Sequence, residues 1–470
     1  MSADILALDV GTSALKAGVF GPGLEKRREA HRAYQPRLYD RGSAEIDPET
    51  WWGALRACCD ELAGTLAHVG VISLSVTTPG LTPMADDGTA LAPAVLFFDS
   101  RSRAQSAAIR GIVGERKFLA ETCNLPVSGG SSLSSILWFR DELPGVWARA
   151  AKFGHCNTYL VKRMTGAWAI DPSTTSITGL YNTARNDLTW NREILDLAGI
   201  AEDRLPPLME SSEPAGRLRD RVAEELGLPH GCTVLCGGND AVLASLSGGL
   251  TEPGDVNVIS GTCDIATVCI DRPVASPDFN VRCHVVPGRW LTFFILNAGG
   301  SGLDWFRRVF CADMDDEQFY GTYMPDVLSR FLASSDVDAH EAELPTFVPH
   351  LGGSRYSLER LKATFDGLTL ETTRDDLLLS VVRGNMAYLG RHLREISGLV
   401  SLSGRVGLSG GGTTIRGTLE ARRRWTGAYE YLLQDQSSML GAAMLGQAYL
   451  ARTSPRSGDI TVEVGQEAGR

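Results

Sequence analysis

A short polar segment near the N-terminus combines a carboxylate, a glycine and two hydroxyls: Asp9, Gly11, Thr12 and Ser13. Apolar runs on both sides predict two strands joined by this segment as a hairpin turn. Backbone N–H groups and hydroxyls in such a turn can hold phosphate oxygens, and a carboxylate beside them can hold a hydrated Mg²⁺. An ordinary hairpin with a water-facing polar turn is the alternative, and this segment alone leaves both open.

The same pattern recurs about 250 residues later. Val256–Ser260 reads as a strand, the residues 261–264 as a turn that contains Gly261 and Thr262, and Ile265–Ile270 as a second strand. A repeat at this scale indicates two related domains that face each other, because a solenoid would repeat over a much shorter period.

Two further glycine-rich turns follow predicted strands, one at residues 237–240 and one at 410–412. A single glycine turn is usually only backbone geometry. Four of them in two halves predict a phosphate and nucleotide cleft between domains. The chain lacks the P-loop pattern, a G-x-G-x-x-G after a strand and the kinase H-R-D, so the common nucleotide-binding motifs are excluded.

Asp240 is the candidate catalytic residue. It follows two glycines at a strand end and precedes a small apolar helix. A carboxylate there can accept the proton of a substrate hydroxyl as its oxygen attacks phosphorus. The competing interpretation makes Asp240 the N-cap of the helix, which is the commoner role of Asp in this context.

The elements that would position these turns alternate between strand and helix. Asp47 and Pro48 predict a helix start, and Val69–Val76 is typical of an internal strand. This alternation predicts an α/β fold with mixed sheets. We expect one domain over residues 1–240, a second over 241–455 and a polar tail over 456–470, in which Ile460–Val464 could form a strand.

Composition narrows the class of protein. A net charge of −11 over 470 residues argues against a nucleic-acid partner, since phosphate backbones demand a basic surface. No run of 18 apolar residues and no basic-then-apolar N-terminus occur, so we expect neither a membrane span nor a signal peptide. The ten cysteines form no C-x-x-C, which predicts reduced thiols and a cytoplasmic location.

Taken together, these motifs resemble the FGGY family of carbohydrate kinases, and within it the xylulokinase-like branch. The matching segments are Leu8–Ser13, Gly237–Asp240, Ser260–Thr262, Ser409–Gly412, Phe98–Arg101, Leu303–Phe306 and Leu440–Ala443. They occur in the family's order and spacing from Asp4 to about Ala451.

The resemblance implies the two-domain actin, Hsp70 and hexokinase type of fold (ribonuclease H-like), with ATP and a sugar meeting in the cleft. It implies Asp240 as the general base and Asp9 as the residue that positions Mg²⁺ through water. The nucleotide side would contain Gly11, Thr12, Ser13, Gly261, Thr262, Gly300, Gly411 and Gly412. The sugar side would contain Thr78, Asp99, Arg101 and Asp240. We also expect a homodimer.

Two positions depart from the branch. Xylulokinases usually have Met-His where Thr78-Pro79 stands, and Asn where Ala241 stands. Losing polar partners for substrate hydroxyls changes which substrate is favoured. The resemblance favours a pentulose such as D-xylulose, and a sugar acid or a polyol, as in gluconate- or glycerol-type kinases, stays open.

Two other function classes are weighed against the kinase. Residues 407–411 match G-x-S-x-G of serine hydrolases, but that fold needs a histidine after the serine, and the last histidine is His392. An actin-like ATPase without a sugar substrate is the second. Asp99, Arg101 and Asp240 argue against it, although fold alone does not decide.

Overall fold

The structure is a computed structural model that describes residues 3–39, 42–357 and 361–453. The predicted tail over 456–470, with its candidate strand at 460–464, lies outside the described residues. Among the helices described, none combines the length and the apolar character that crossing a membrane requires.

The strands are, in chain order, β1 (Asp4–Val10), β2 (Ala14–Phe20), β3 (Lys26–Ala33), β4 (Arg37–Tyr39), β5 (Ser43–Ile46), β6 (Val69–Val76), β7 (Gly80–Met84), β8 (Ala94–Leu96), β9 (Lys152–Gly154), β10 (Pro214–Arg217), β11 (Thr233–Leu235), β12 (Gly238–Asn239), β13 (Val256–Ser260), β14 (Asp264–Ile270), β15 (Asn280–Cys283), β16 (Trp290–Leu296), β17 (Thr346–Val348), β18 (Thr364–Asp366), β19 (Arg405–Ser409) and β20 (Glu430–Leu433).

The α-helices are α1 (Pro48–Leu62), α2 (Arg103–Val113), α3 (Glu115–Thr122), α4 (Ser132–Glu142), α5 (Pro144–Arg149), α6 (Cys156–Thr165), α7 (Pro172–Thr175), α8 (Arg192–Ala198), α9 (Asp220–Leu226), α10 (Asp240–Ser247), α11 (Gly300–Phe310), α12 (Asp316–Gln318), α13 (Met324–Leu332), α14 (Val337–Glu343), α15 (Arg374–Ser397), α16 (Thr418–Trp425) and α17 (Ser438–Thr453). Short 3₁₀ segments lie at Ala63–His68, Glu202–Arg204 and Gly411–Thr413, and a π-helical turn at Phe319–Tyr323.

The two large sheets share one strand arrangement. In the first, the order β3-β2-β1-β6-β11 places an antiparallel hairpin and its third strand beside two parallel strands. In the second, β16-β14-β13-β19-β20 has the same order and the same directions. Parallel neighbours need a crossover connection, and in the first sheet α1 lies between β1 and β6 in the chain. The structure therefore confirms the predicted repeat and its two hairpins.

Helix α1 begins as the sequence predicts. The side chain of Asp47 accepts a hydrogen bond from the Glu49 amide at 3.0 Å, and Pro48 takes the first helical position, where no N–H is needed. The inward face of the helix buries Trp51, Trp52 and neighbouring apolar residues against β2 and β3. This packing holds the hairpin β1–β2 rigid behind its polar turn.

Helices α10 and α17 pack against each other and against the first sheet. Ile5 and Ala7 of β1 share a buried apolar cluster with Leu243 of α10 and Ala442 of α17. The first turn of α17 reaches the hairpin, where Ser438 hydrogen-bonds to Asp9. The C-terminal helix thus supports the N-terminal hairpin, and the domain division at residue 240 stays a prediction.

Candidate active site

A cavity of about 1190 Å³ opens between the two halves of the chain. Thr78, Asp99 and Asp240 line it from the first half, and Arg282 and Phe293 line it from the second. The structure therefore brings three of the four predicted sugar-side residues to one cavity. Arg101 is not among its lining residues.

Asp240 is the first residue of α10, and it is not the N-cap. Asn239 takes that position, because its side-chain oxygen accepts a hydrogen bond from the Val242 amide at 3.1 Å. The capping interpretation of Asp240 is therefore wrong. One carboxylate oxygen of Asp240 accepts from the Ala241 amide at 2.7 Å and from the Asn239 side-chain amide at 3.1 Å, and the side chain lines the cavity.

Burial, and to a smaller extent the negative charge of Asp9, raise the pKa of Asp240 to about 6. The positive charge of Arg282 and the two hydrogen bonds act in the opposite direction. A carboxylate with a pKa just below neutrality is ionised at pH 7 and still basic enough to take a proton from a reacting hydroxyl. Asp240 therefore has the properties of a general base.

Arg282 was missed by the sequence analysis. It lies on β15, is only 9 % exposed, and donates from Nη1 to the side-chain oxygen of Asn239. Its guanidinium carbon lies 4.7 Å from the ring centre of Phe293. Burial lowers the pKa of Arg282 to about 10, so the side chain stays cationic at neutral pH. A charged residue between the apolar residues Val281 and Cys283 was the signal that could have identified it.

A second group of missed residues holds the turn before Asp240. Asp171 is fully buried and caps the short helix α7, accepting hydrogen bonds from the Ser173 amide and the Ser211 hydroxyl, both at 2.9 Å. The Ser173 hydroxyl also donates to Asp171, and its oxygen accepts from the Asn239 amide at 2.9 Å. This chain of hydrogen bonds positions the backbone from which Asp240 projects.

Asp99 and Arg101 are bound mainly to protein groups. Asp99 accepts from the Ala44 amide at 2.8 Å and pairs with Arg101 at 2.8 Å. Arg101 also pairs with Glu45 at 2.6 Å and lies 4.4 Å from the ring centre of Trp138. These contacts favour a structural role for Arg101, and its contact with a sugar stays a prediction.

The first hairpin turn adjoins the cavity. The Thr12 hydroxyl lies 3.2 Å from the hydroxyl of Thr77, a residue of the cavity wall, and the Gly11 carbonyl accepts from the Tyr34 hydroxyl at 2.7 Å. Ser13 is exposed at the tip. Asp9 lies behind this turn, where Ser75 donates to it at 3.0 Å. Burial raises the pKa of Asp9, while the hydrogen bonds from Ser438 and Ser75 oppose the rise.

The second hairpin turn is held by close backbone contacts. The Gly300 amide donates to the Gly261 carbonyl at 2.8 Å, and the Ser301 amide donates to the Thr262 carbonyl at 3.2 Å. Beneath the turn, buried Arg422 donates to the Ser260 hydroxyl, which donates in turn to Asp264 at 3.1 Å. Three predicted nucleotide-side residues are thereby brought together: Gly261, Thr262 and Gly300.

The glycine segment 410–412 borders the same turn. Gly410 has φ +95°, and a Cβ there would lie 2.3 Å from the Ser260 carbonyl. A Cβ on Gly412 would lie 2.7 Å from the Ser260 hydroxyl oxygen, whereas a Cβ on Gly411 would meet open space. The backbone of Gly411 is therefore accessible to a bound molecule.

Residues 5–247, which are more than half of the chain, match the FGGY family of carbohydrate kinases, N-terminal domain. The chain belongs to the FGGY family. It is a carbohydrate kinase, an enzyme that transfers a phosphoryl group to a sugar, and ATP is the phosphate donor of this family.

Similar proteins agree on the fold and differ in substrate. The xylulose kinase of Staphylococcus xylosus is 25% identical over 386 residues, which are 81% of this chain and 77% of that protein. The gluconokinase of Bacillus subtilis is 25% identical over 395 residues, which are 82% of this chain and 75% of that protein. The crystal structure of a xyloylose kinase from Brucella ovis superimposes with a TM-score of 0.83 at 25% identity, over 96% of this chain and 91% of that chain. The two-domain actin-like fold is thereby confirmed.

The pH dependence of this FGGY kinase is expected to report Asp240. Because the proton-accepting form is the carboxylate, kcat/KM for the sugar should rise with pH and level off above the pKa of about 6. Below it, the value should fall about tenfold per pH unit. A pH–rate profile in a constant-ionic-strength buffer measures this, and activity that increases on acidification would contradict the assignment.

Two neighbouring glycines provide a matched pair of variants. Gly410→Ala is expected to destabilise the protein by about 2 kcal/mol or more, because it combines a positive φ with a backbone clash. Gly411→Ala should leave the free energy of unfolding within about 0.5 kcal/mol, since its Cβ meets nothing. Urea denaturation measures both. If Gly411 borders the nucleotide, the second variant raises KM for ATP without loss of stability.

Proposed function

We propose that this FGGY kinase transfers the γ-phosphate of ATP to a hydroxyl of a small polyhydroxy substrate bound in the cavity, with Asp240 as the general base. The observation that carries the proposal is the position of Asp240. Its partly buried carboxylate lines the cavity at the start of α10, and Asp9, just behind the first hairpin turn, acts on its pKa.

The proposed reaction follows from this placement. The substrate hydroxyl donates a hydrogen bond to Asp240, and its proton passes to the carboxylate as its oxygen forms a bond to the γ-phosphorus. The bond from that phosphorus to the ADP oxygen breaks. Backbone amides and hydroxyls of the two turns, at Gly11, Thr12 and Ser13 and at Gly261 and Thr262, would hold the phosphates and offset the developing charge.

The nucleotide base and ribose are proposed to lie beside Gly300, Gly411 and Gly412. The absence of side chains there lets the backbone approach a ligand closely, and at Gly411 the space beyond the backbone is open. Closure of the cleft would exclude water and limit wasteful ATP hydrolysis.

The residues around the first turn fit a Mg²⁺ ion carried by the nucleotide. Among the described residues there is no group of three or more metal-ligating side chains. Mg²⁺ at phosphate sites typically keeps several waters and uses one or two carboxylates, and Asp9 supplies one beside two hydroxyls. When bound, the ion would neutralise phosphate charge. Asp9 would hold it through water.

The substrate stays to be identified. The family resemblance favours a pentulose such as D-xylulose, and the names of similar proteins include a gluconokinase. ADP release with ATP and Mg²⁺, measured against ketoses, polyols and aldonic acids, tests the function. Strong stimulation by one compound is expected. ATP turnover indifferent to all of them would instead favour an actin-like ATPase. A homodimer and a cytoplasmic location stay predictions.

A further inference from the structure

We propose that the cavity selects a sugar acid, a polyhydroxy carboxylate, and that the guanidinium of Arg282 binds its carboxylate. The proposal rests on the kinase function proposed above and names the substrate class of the same site. It places a specificity-determining residue on β15, in the half of the chain opposite the catalytic carboxylate.

Arg282 is a buried cation in the cavity wall whose hydrogen-bonding capacity is only partly used. The side chain is 9 % exposed and lines the cavity, and its buried Nε has no hydrogen-bond partner among the described residues. Its hydrogen-bond partner is the neutral Asn239 side chain, and the nearby charge of Asp240 opposes the lowering of its pKa. A buried N–H donor without a hydrogen-bond partner is costly. A ligand that brings an anionic oxygen would remove that cost.

The charge of the cavity wall also favours an anionic ligand. Among the described residues, the wall contains four cationic side chains, namely Arg103, Arg282, Arg355 and Lys362, and two carboxylates, Asp99 and Asp240. Asp99 already pairs with Arg101 outside the lining. His350 adds no charge at neutral pH, because burial lowers its pKa. The cavity is therefore positive in a chain of net charge −11, which favours an anionic ligand.

The backbone of Arg282 lies far along the second sheet from the second hairpin turn. Across the second sheet Arg282 pairs with Leu291, and Leu291 pairs with Cys269. Cys269 is five residues beyond Asp264, where the hairpin turn ends, or about 16 Å along the strand. Arg355 lies nearer the turn, since its Nη2 is 3.9 Å from the sulfur of Cys263. The Arg282 side chain donates to Asn239, next to Asp240, so we place it in the part of the cavity proposed to bind the acceptor.

Arginine is also the residue whose geometry suits a carboxylate. Its planar fork can donate two parallel hydrogen bonds to the two oxygens. The ring of Phe293 fixes one face of the fork at 4.7 Å, which limits its freedom before the ligand binds. A neutral ketose or polyol offers only uncharged hydroxyl or carbonyl oxygens to the same group, and therefore gains less binding free energy from it.

The wild-type enzyme tests the substrate class directly. ADP release is measured with D-gluconate against D-glucitol, D-xylonate against xylitol, D-erythronate against erythritol, and D-xylulose. We expect at least one acid to exceed its neutral partner and D-xylulose in kcat/KM by about 100-fold or more. A neutral compound that exceeds every acid overturns the proposal and leaves the kinase function intact.

Variants test the role of Arg282. Arg282→Met is expected to lower kcat/KM for the acid by about 10- to 100-fold and to reduce the acid-to-neutral ratio, while Arg282→Lys keeps part of that ratio. Arg289→Met is the matched control. Arg289 lies in the turn between β15 and β16, outside the cavity lining, and pairs with Glu252 at 3.2 Å. An equal loss for acid and neutral substrates in Arg282→Met would point to the phosphoryl group and overturn the specificity role.

Calorimetric titration of the acid into the wild-type protein without ATP tests the sugar-acid site separately from the kinase function, and it needs no variant. Binding of the acid without turnover supports the sugar-acid site and contradicts the kinase function. Stimulation of ADP release by a neutral sugar, with no binding of any acid, supports the kinase function and contradicts the sugar-acid site. If the acid does not bind and no compound stimulates ADP release, both the sugar-acid site and the kinase function are contradicted.

Discussion

Replacing Asp240 by Asn is expected to lower kcat for sugar phosphorylation by about 10²- to 10⁴-fold, the range that a positioned general base contributes. The amide keeps the shape of the side chain and can still accept from the Ala241 amide, but it cannot take a proton from the substrate hydroxyl. Because Asp240 is proposed to contact the acceptor hydroxyl and not the nucleotide, ATP affinity should change less than threefold. Steady-state ADP release and calorimetric titration with ATP measure the two effects.

The control for this variant is Asp271→Asn, which removes an exposed carboxylate after β14. Its kcat and its melting temperature should match those of the wild type. If Asp240→Asn retained turnover within about threefold of the wild type, Asp240 would not be the base. A parallel loss of ATP binding would indicate a disrupted site rather than lost proton transfer.

Replacing Asp9 by Asn is expected to lower kcat by about 10- to 100-fold and to raise the Mg²⁺ concentration needed for half-maximal activity, as substitutions of groups around a metal's ligands commonly do. A second effect follows from the charge of Asp9, which raises the pKa of Asp240. Without that charge, the acidic limb of the pH–rate profile should move to lower pH. Titrations of ADP release with Mg²⁺ and with pH measure both.

Glu29→Gln is the matched control for Asp9. Glu29 also acts on the pKa of Asp9, but it lies on β3 and pairs at 2.7 Å with Lys26 on the surface. This variant should keep the wild-type Mg²⁺ requirement and pH profile. An Asp9→Asn enzyme with an unchanged Mg²⁺ requirement would remove Asp9 from the metal site, whatever its effect on kcat.

The repeated hairpins could be predicted from the sequence because each is local. Two apolar runs and a polar glycine turn lie within 17 residues at Asp4–Phe20, and the second copy repeats that order. The alternation of strand and helix then limits the fold to an α/β class. Asp47-Pro48 likewise fixes the start of α1 by contacts within three residues.

The residues that tune Asp240 could not be predicted in this way, because they reach it from distant parts of the chain. Ser173 is 66 residues from Asn239, and Arg282 is 43 residues from it. No local sequence pattern predicts that these segments lie close together in the fold. The N-cap assignment was wrong for a related reason, since Asn239 and Asp240 are both good capping residues and only the backbone geometry selects one.

The residues of the sugar side could likewise be predicted only in part from the sequence. Thr78, Asp99 and Asp240 do reach one cavity, whereas Arg101 is engaged by Asp99 and Glu45. The motif Phe98–Arg101 does not predict the ion pair between Arg101 and Glu45, because Glu45 lies on β5, far away in the sequence. The cavity charge, on which the proposed substrate preference rests, is formed only when both halves of the chain are in place.

The most direct test of the central claim is mass spectrometry of the substrate panel after incubation with ATP and Mg²⁺, using the wild type and Asp240→Asn side by side. One polyhydroxy compound should gain a single phosphoryl group with the wild type, in a one-to-one ratio to ADP, and remain unmodified with the variant over the same time. ADP formed without any phosphorylated acceptor, or equal product from both proteins, would contradict phosphoryl transfer assisted by Asp240.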